Sequence, residues 1–202
     1  YQTTPGDHWD YNSAQPMILA DLTIDGRPRK VIMQAPKNGF FYVLDRLTGE
    51  FISGTPFVTV TWATGIDPRT GRPVETPEAR YGTQPVRLSP SYVGAHHWPP
   101  MSFNPATGLV YFPGQETSAI FQRSDGFAFE AGQWNTGIRL GGRGGALTPI
   151  PSAAAAAPGV ATRGFLVAWD PIARTPRWRI DLAPAGGTLS TAGNLVFVGD
   201  AG

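Results

Sequence analysis

The chain has 202 residues, a formal net charge of +1 and only 15% charged side chains, a balance without the basic stripe that nucleic acid or an anionic membrane requires. Its 25 Gly and 20 Pro, with no long amphipathic period, point to an all-β fold of short strands and turns, because those residues interrupt helices and supply turn geometry. The absence of Cys removes disulfides and thiolate metal sites, and leaves the compartment open.

In chain order, the first informative stretch runs from Gly6 to Lys37, GDHWDY followed by a strand pair whose turn reads APKNG. Asp10 is a carboxylate at neutral pH, able to accept a proton or help hold a hard cation. Lys37 brings a positive charge and three donors. The pair suits alcohol deprotonation beside a carbonyl-bearing electron acceptor, and it suits a surface ion pair equally well. Lys30 to Ala35 and Phe40 to Leu44 predict a hairpin closed by a two-residue Asn38-Gly39 turn. Neither strand alternates with polar residues, so both faces of the sheet should be covered, as when propeller blades stack.

A polar turn follows at Asp45-Arg46-Leu47-Thr48-Gly49, and its spacing recurs at Asp67 to Gly71, at Asn104 to Gly108 and, with Trp178 beyond it, at Asp170. Repetition near a blade's length favours a propeller over generic turn chemistry. The proline-rich stretch from Gly54 to Pro90 reads as a loop excursion rather than a blade. Gln115 to Ile150 reads as irregular connection with at most one strand. PIPSAAAAAPG, residues 149–159, reads as a surface loop, because five alanines between Pro151 and Pro158 are too few to propagate a helix. Leu109 to Phe112, Phe165 to Trp169 and Asn194 to Gly199 read as strands. No apolar run approaches the roughly 18 residues that span a bilayer, and no charged-then-apolar leader stands at Tyr1. The last strand lacks a partner and Tyr1 starts just before the Asp10 motif, so the expectation for 1–202 is one incomplete propeller domain of about three to four blades.

The runs TPGDHWDYNSAQPMILADL, GRPRKVIMQAPKNGFFYVLDRLTG and GAHHWPPMSFNPATGLVYFP closely resemble the pyrroloquinoline-quinone (PQQ)-dependent alcohol dehydrogenases, especially their quinohaemoprotein and ethanol dehydrogenase branch. The resemblance implies an eight-bladed propeller in the full-length protein, with the recurrent turns as tryptophan-docking motifs and Trp178 between adjacent blades. It implies a periplasmic enzyme that oxidises a primary alcohol to an aldehyde, with PQQ and calcium as cofactors and a haem c possible in a domain outside this chain. The electron acceptor would be a periplasmic cytochrome c or copper protein.

Residue by residue, the resemblance places Asp10 at the second Asp of the GDxWDY motif, the proposed proton acceptor beside the calcium and hence a metal-site residue. Asp7 falls at the outer position, with a structural turn role, and Trp9 in the core. Lys37 falls at the quinone-contacting Lys. Trp98 stands where a Trp contacts the cofactor, and His97 replaces the cofactor-binding Asn of the GAHNWHPMSF pattern. An imidazole offers less hydrogen bonding than an amide, so contact there persists with altered geometry or is lost.

His96 and His97 are adjacent, and three His without Cys give no zinc spacing. Asn12 stands where lanthanide-using relatives carry a second Asp, which favours calcium. The family's calcium-binding Glu and Asn and its vicinal disulfide would lie upstream of Tyr1, so the chain alone is expected to be inactive. Pro184-Ala185, before Gly186-Gly187, replace an aromatic near the substrate entrance. The competing reading is a non-catalytic quinoprotein-like propeller serving as a binding or assembly scaffold.

Overall fold

The computed structural model describes residues 1–132, 135–138, 163–183 and 185–200. The predicted alanine-rich loop at 149–159 and Pro184 lie outside the described residues. Those described form strands and connections, with no helix among them.

The first sheet is a four-stranded antiparallel meander of β1 (Ile18–Ile24), β2 (Arg27–Gln34), β3 (Phe40–Asp45) and β4 (Phe51–Pro56) in that order. Its central strand β3 is buried on both faces, as the unalternating sequence FFYVL required. Strand periodicity sends Phe41 and Val43 into one core, and Phe40 and Tyr42 into another.

The second four-stranded sheet contains β8 (Ser102–Asn104), β9 (Leu109–Glu116), β11 (Arg163–Asp170) and β12 (Thr175–Asp181). It packs face to face with the first: Phe41 lies 5.8 Å from Phe112 and 5.6 Å from Trp169, centroid to centroid. Aromatic contacts at this spacing add to area burial. The pair β13 (Ala185–Ser190) and β14 (Val196–Asp200) follows as two strands of a further sheet, joined to the second where Thr188 Oγ1 donates to Tyr111 O at 2.9 Å.

The recurrent turns share one construction. The Asp45 carboxylate accepts from the N–H groups of Leu47 and Thr48, Asp67 from Arg69, Asn104 from Ala106, and Asp170 from Ile172 and Ala173. Each closes with a residue at positive φ, Gly49, Gly71, Gly108 and Arg174, whose N–H returns to the first residue's carbonyl. Backbone donors hold the Asp45 and Asp67 carboxyls below their usual range.

Not every such turn closes a blade. The Asp67 turn joins β5 (Ala63–Ile66) to β6 (Pro73–Glu75) in a separate hairpin, and β7 (Val86–Leu88) pairs with β10 (Ala119–Phe121). The residues from 54 to 90 therefore finish β4 and then supply short strands outside the two four-stranded sheets.

Two local expectations are corrected. The β2–β3 connection is not a two-residue Asn38-Gly39 turn: Gln34 pairs with Tyr42, and Lys37 and Asn38 are the central residues of a turn closed by Gly39 N–H to Pro36 O at 3.4 Å. The wider loop forms because Ala35 and Lys37 turn their carbonyls to His96 and Ala95 rather than across a tight hairpin. The strand expected at 194–199 does not lack a partner, because β14 pairs antiparallel with β13, Thr188 opposite Val198 and Ser190 opposite Val196.

Candidate active site

The site is built where irregular segments cross one end of the first sheet. Asp7 Oδ1 accepts from Trp9 N–H at 2.8 Å, a local turn that sends Trp9 and Tyr11 inward and leaves Asp10 between them facing out. Asp10 has φ +64°, a left-handed conformation that Asp tolerates better than most residues. Trp9 and Tyr11 stack at 5.7 Å and close on Trp62 at 5.0 and 5.5 Å, forming an aromatic floor.

Each ring is fixed by its polar end. Trp9 Nε1–H donates to Ala79 O at 2.9 Å, Trp62 Nε1–H to Asn38 O at 2.9 Å, and Tyr11 O–H to Pro90 O. Burial raises the Tyr11 and Tyr42 phenols well above their ordinary range, which keeps both as hydroxyl donors. Asn38 is fully buried. Its Oδ1 accepts from Phe40 N–H, and its Nδ2 faces Thr3 O, Thr4 Oγ1 and Tyr42 Oη.

This anchoring delivers Lys37, 3% exposed, to Asp10, whose side chain is 61% exposed; Lys37 Nζ donates to Asp10 Oδ2 at 2.8 Å. Asn12 Nδ2 donates to the other oxygen, Oδ1, at 3.0 Å. The stem of Lys37 is pressed against Gly94, where a Cβ would stand 2.5 Å from Lys37 Cβ and Cγ, and where φ is +91°. Glycine is required there twice over, for the close approach and for the backbone conformation.

Ala95 N–H donates to Lys37 O at 2.9 Å, and Gln115 N–H donates to Ala95 O at 2.8 Å, which ties the lysine loop to β9. His96 is buried between Ala35 O, 2.6 Å from Nδ1, and Pro99 O, 2.9 Å from Nε2. Burial pushes its pKa down, against the two carbonyls that favour the imidazolium. It serves as a strut between the lysine loop and the following segment.

His97 and Trp98 reach the same region. Burial lowers the His97 pKa, the Lys37 charge lowers it further, and the Asp10 charge opposes them. Among the described residues, His97 Nδ1 is buried without a hydrogen-bond partner. Trp98 is 67% exposed, with its ring edge-on to His97 at 6.2 Å.

The structure thus brings Asp10, Lys37 and His97 together and sets Trp98 beside them. Gly94, Asn38 and His96 carry structural duties that the sequence alone did not reveal. All three lie inside the APKNG and GAHHW runs, which mark the segments without showing what each side chain holds. No helix among the described residues is long and apolar enough to cross a membrane.

The donors fit an anionic, carbonyl-rich planar ligand. A buried ammonium has one acceptor among the described residues, an imidazole nitrogen is unpartnered, and a broad indole lies open. They do not by themselves form a calcium site, since no cluster of three His, Cys, Asp or Glu side chains occurs among the described residues and calcium takes about six to eight oxygens.

Comparison with known proteins accords with this geometry. The family model "PQQ: Glucose/ethanol/alcohol dehydrogenase, beta-propeller domain" matches residues 1–67. Over its full length the chain is 50% identical to quinohemoprotein alcohol dehydrogenase ADH IIB of Pseudomonas putida, covering 28% of that protein. The crystal structure of quinohemoprotein alcohol dehydrogenase from Comamonas testosteroni matches with a TM-score of 0.85 at 45% identity, over 98% of this chain and 29% of that one. A europium-containing methanol dehydrogenase matches with a TM-score of 0.77 at 30% identity, over 98% of this chain and 33% of that one. The chain spans about 28% of the curated relative it matches. By sequence along its whole length and by fold, it belongs to the PQQ-dependent alcohol dehydrogenase family and carries part of that family's β-propeller.

Proposed function

We propose that this chain supplies part of the active site of a PQQ-dependent dehydrogenase acting on a primary alcohol, with Asp10 as the general base. The observation that carries the reading is the pair of a buried Lys37 ammonium and an exposed Asp10 carboxylate, 2.8 Å apart, with the unpartnered His97 beside them. Lys37, His97 and Trp98 would hold the quinone, which when bound supplies the two-electron acceptor for the hydride leaving the alcohol carbon.

The chain's own residues do the following. Asp10 faces solvent, so an alcohol hydroxyl can reach it, while Lys37 and Asn12 each hold one of its oxygens and fix its direction. As Asp10 takes the hydroxyl proton its charge is lost, and Lys37 is left as a buried cation without its partner. Such a cation strongly favours new negative charge on an oxygen placed at Nζ, so proton uptake and stabilisation of a reduced acceptor are coupled in one ion pair. Neutral His97 adds one donor and one acceptor without adding charge.

Calcium beside Asp10 rests on the resemblance and on the neutral Asn12, and this chain would give it a single carboxylate. A periplasmic location and a cytochrome c or copper-protein acceptor rest on the same resemblance. The scaffold alternative has no use for a buried ammonium and an orphan imidazole converging on an open carboxylate. The test is dye-linked alcohol oxidation by the protein that carries this chain and by its Asp10→Asn variant. A fall in kcat of about 10²- to 10⁴-fold with unchanged PQQ uptake is expected; full activity would remove Asp10 as the base.

A further inference from the structure

The first sheet ties the Asp10 segment at its two ends, where Tyr42 Oη donates to Thr3 O at 3.2 Å and Gln34 Nε2 donates to Ser13 O at 3.2 Å. Between those ends, residues 5–11 are fixed by the excursion roughly seventy residues later in the chain. Trp9 donates to Ala79 O, Tyr81 O–H donates to His8 O, Tyr11 O–H donates to Pro90 O, and Arg80 donates to the carbonyls of Pro5 and Gly6. Arg80 is the centre of this set. Its Nε and Nη2 donate to Glu75 Oε2 and Oε1 at 2.7 and 2.6 Å, and its Cζ lies 4.5 Å over the Trp9 ring. Its fork therefore reads one carboxylate on one side and two backbone carbonyls on the other while its face covers the indole.

We propose that Glu75 and Arg80 form a positioning clamp that sets the Asp10 carboxylate opposite Lys37. This rests on the reading of Asp10 as the base. An exposed Arg–Glu pair alone contributes little, because water competes for both charges. This one differs because the guanidinium is planar and engages the carboxylate through two nitrogens, and because its remaining donors grip Pro5 and Gly6, just ahead of the Asp7 turn. Gly6 has φ +57°, with the site of a Cβ 3.6 Å from Arg80 Nη2, so a turn at Gly6 brings the backbone carbonyls to the fork.

The left-handed conformation at Asp10 needs a surrounding structure that over-determines it. The inward anchors, Trp9 and Tyr11, fix the depth of the segment. The clamp fixes its approach. Released from the clamp, Asp10 keeps its chemistry and loses its position relative to Lys37, and a misplacement near 1 Å can cost about 100-fold in rate. Glu75 and Arg80 touch neither Asp10 nor Lys37, so they act through the segment's backbone.

The experiment uses the PQQ-loaded protein that carries this chain, with Arg80→Met, Glu75→Gln, Asp10→Asn and the Arg80→Met, Asp10→Asn double variant. Arg80→Met is expected to lower kcat about 10- to 100-fold with KM within about twofold, and Glu75→Gln about three- to tenfold. In the Asp10→Asn background Arg80→Met should change the residual rate less than twofold, because there is no base left to misplace. Hydrogen exchange read by mass spectrometry should speed up about tenfold or more for the peptide covering residues 5–12 and stay unchanged for β2 and β3.

If Arg80→Met folds poorly, Glu75→Gln carries the same readouts. Wild-type kcat in both single variants, or a loss in the double variant that multiplies the two single losses, overturns the clamp. Wild-type activity in Asp10→Asn overturns the reading of Asp10 instead, and unchanged exchange at residues 5–12 overturns the clamp whatever the rates show.

Discussion

Two cores meet on the opposite faces of the first sheet, and they are held by different means. The inter-sheet core, with Val31, Met33, Phe41, Val43, Phe112, Phe165, Val167 and Trp169, is made by regular strands whose backbone groups are already satisfied in ladders. Its side chains need only fill space. The second core, with Trp9, Tyr11, Phe40, Tyr42, Trp62, Leu88 and Phe121, is made partly by segments without regular structure. There the indole and phenol groups bond to backbone carbonyls that no ladder uses, so the aromatic floor both buries apolar area and fixes loops. The site stands on the second core. Packing alone sustains a fold, whereas holding Asp10 and Lys37 in register takes directional bonds on buried rings.

The largest effect that would test this contrast is in stability. Phe112→Ala empties the contact between the two four-stranded sheets, where Phe112 meets Phe41 and Phe57, and should cost about 3–5 kcal/mol by denaturant midpoint. A cost under about 1 kcal/mol would mean that the inter-sheet core does not hold the sheets together.

Trp62→Phe keeps an aromatic ring in the second core and removes the donor to Asn38 O. It should cost about 1–3 kcal/mol and weaken PQQ uptake in a cofactor titration, since Asn38 follows Lys37 directly. Equal uptake would separate the aromatic floor from the site.

The His96 strut gives a pH prediction. Burial lowers its folded pKa below 6.5, so as pH falls through 6.5 the unfolded chain takes up a proton before the folded chain does. Stability should be level above that pH and decline below it, by at most about 1.4 kcal/mol per pH unit. The one titratable group acting on His96 is His97, which also favours the neutral form. Urea midpoints of wild type and His96→Gln between pH 7.5 and 5.5 check this: the variant should be less stable throughout but show a shallower decline.

The smallest effect concerns the turns outside both cores. Arg174 holds the left-handed position that Gly49, Gly71 and Gly108 hold elsewhere, with φ +61°. Arg174→Gly should stabilise by about 0.5–1 kcal/mol, the left-handed penalty less glycine's entropy. A loss of stability would show that the Arg174 side chain makes a compensating contact.

Much of the first core was legible because its signals are local. The unalternating run of β3 announces a strand covered on both faces, and the Asx turns announce themselves by an acceptor and a left-handed residue at fixed spacing. Strand β12 gave no such signal, because all its residues are at least partly open to solvent. At the site, Asp10, Lys37, His97 and Trp98 were marked by the resemblance of their motifs, and the residue types alone would have allowed a surface ion pair. Asn38-Gly39 misled for a physical reason: the pair favours a tight hairpin in isolation, but His96 and Ala95 draw the carbonyls of Ala35 and Lys37 away from one.

By itself, then, the sequence determined the all-β character, the two-faced strands, the recurrent turns and the order of the site motifs, since each depends on residues within a few positions of one another. Only the tertiary structure decided that Lys37 is buried against Gly94, that it meets Asp10, and that Glu75, Ala79, Arg80, Tyr81 and Pro90 hold the Asp10 segment. Those relations are bonds between side chains and distant backbone, and neither an arginine nor a carbonyl carries in its neighbours any mark of a partner seventy residues away.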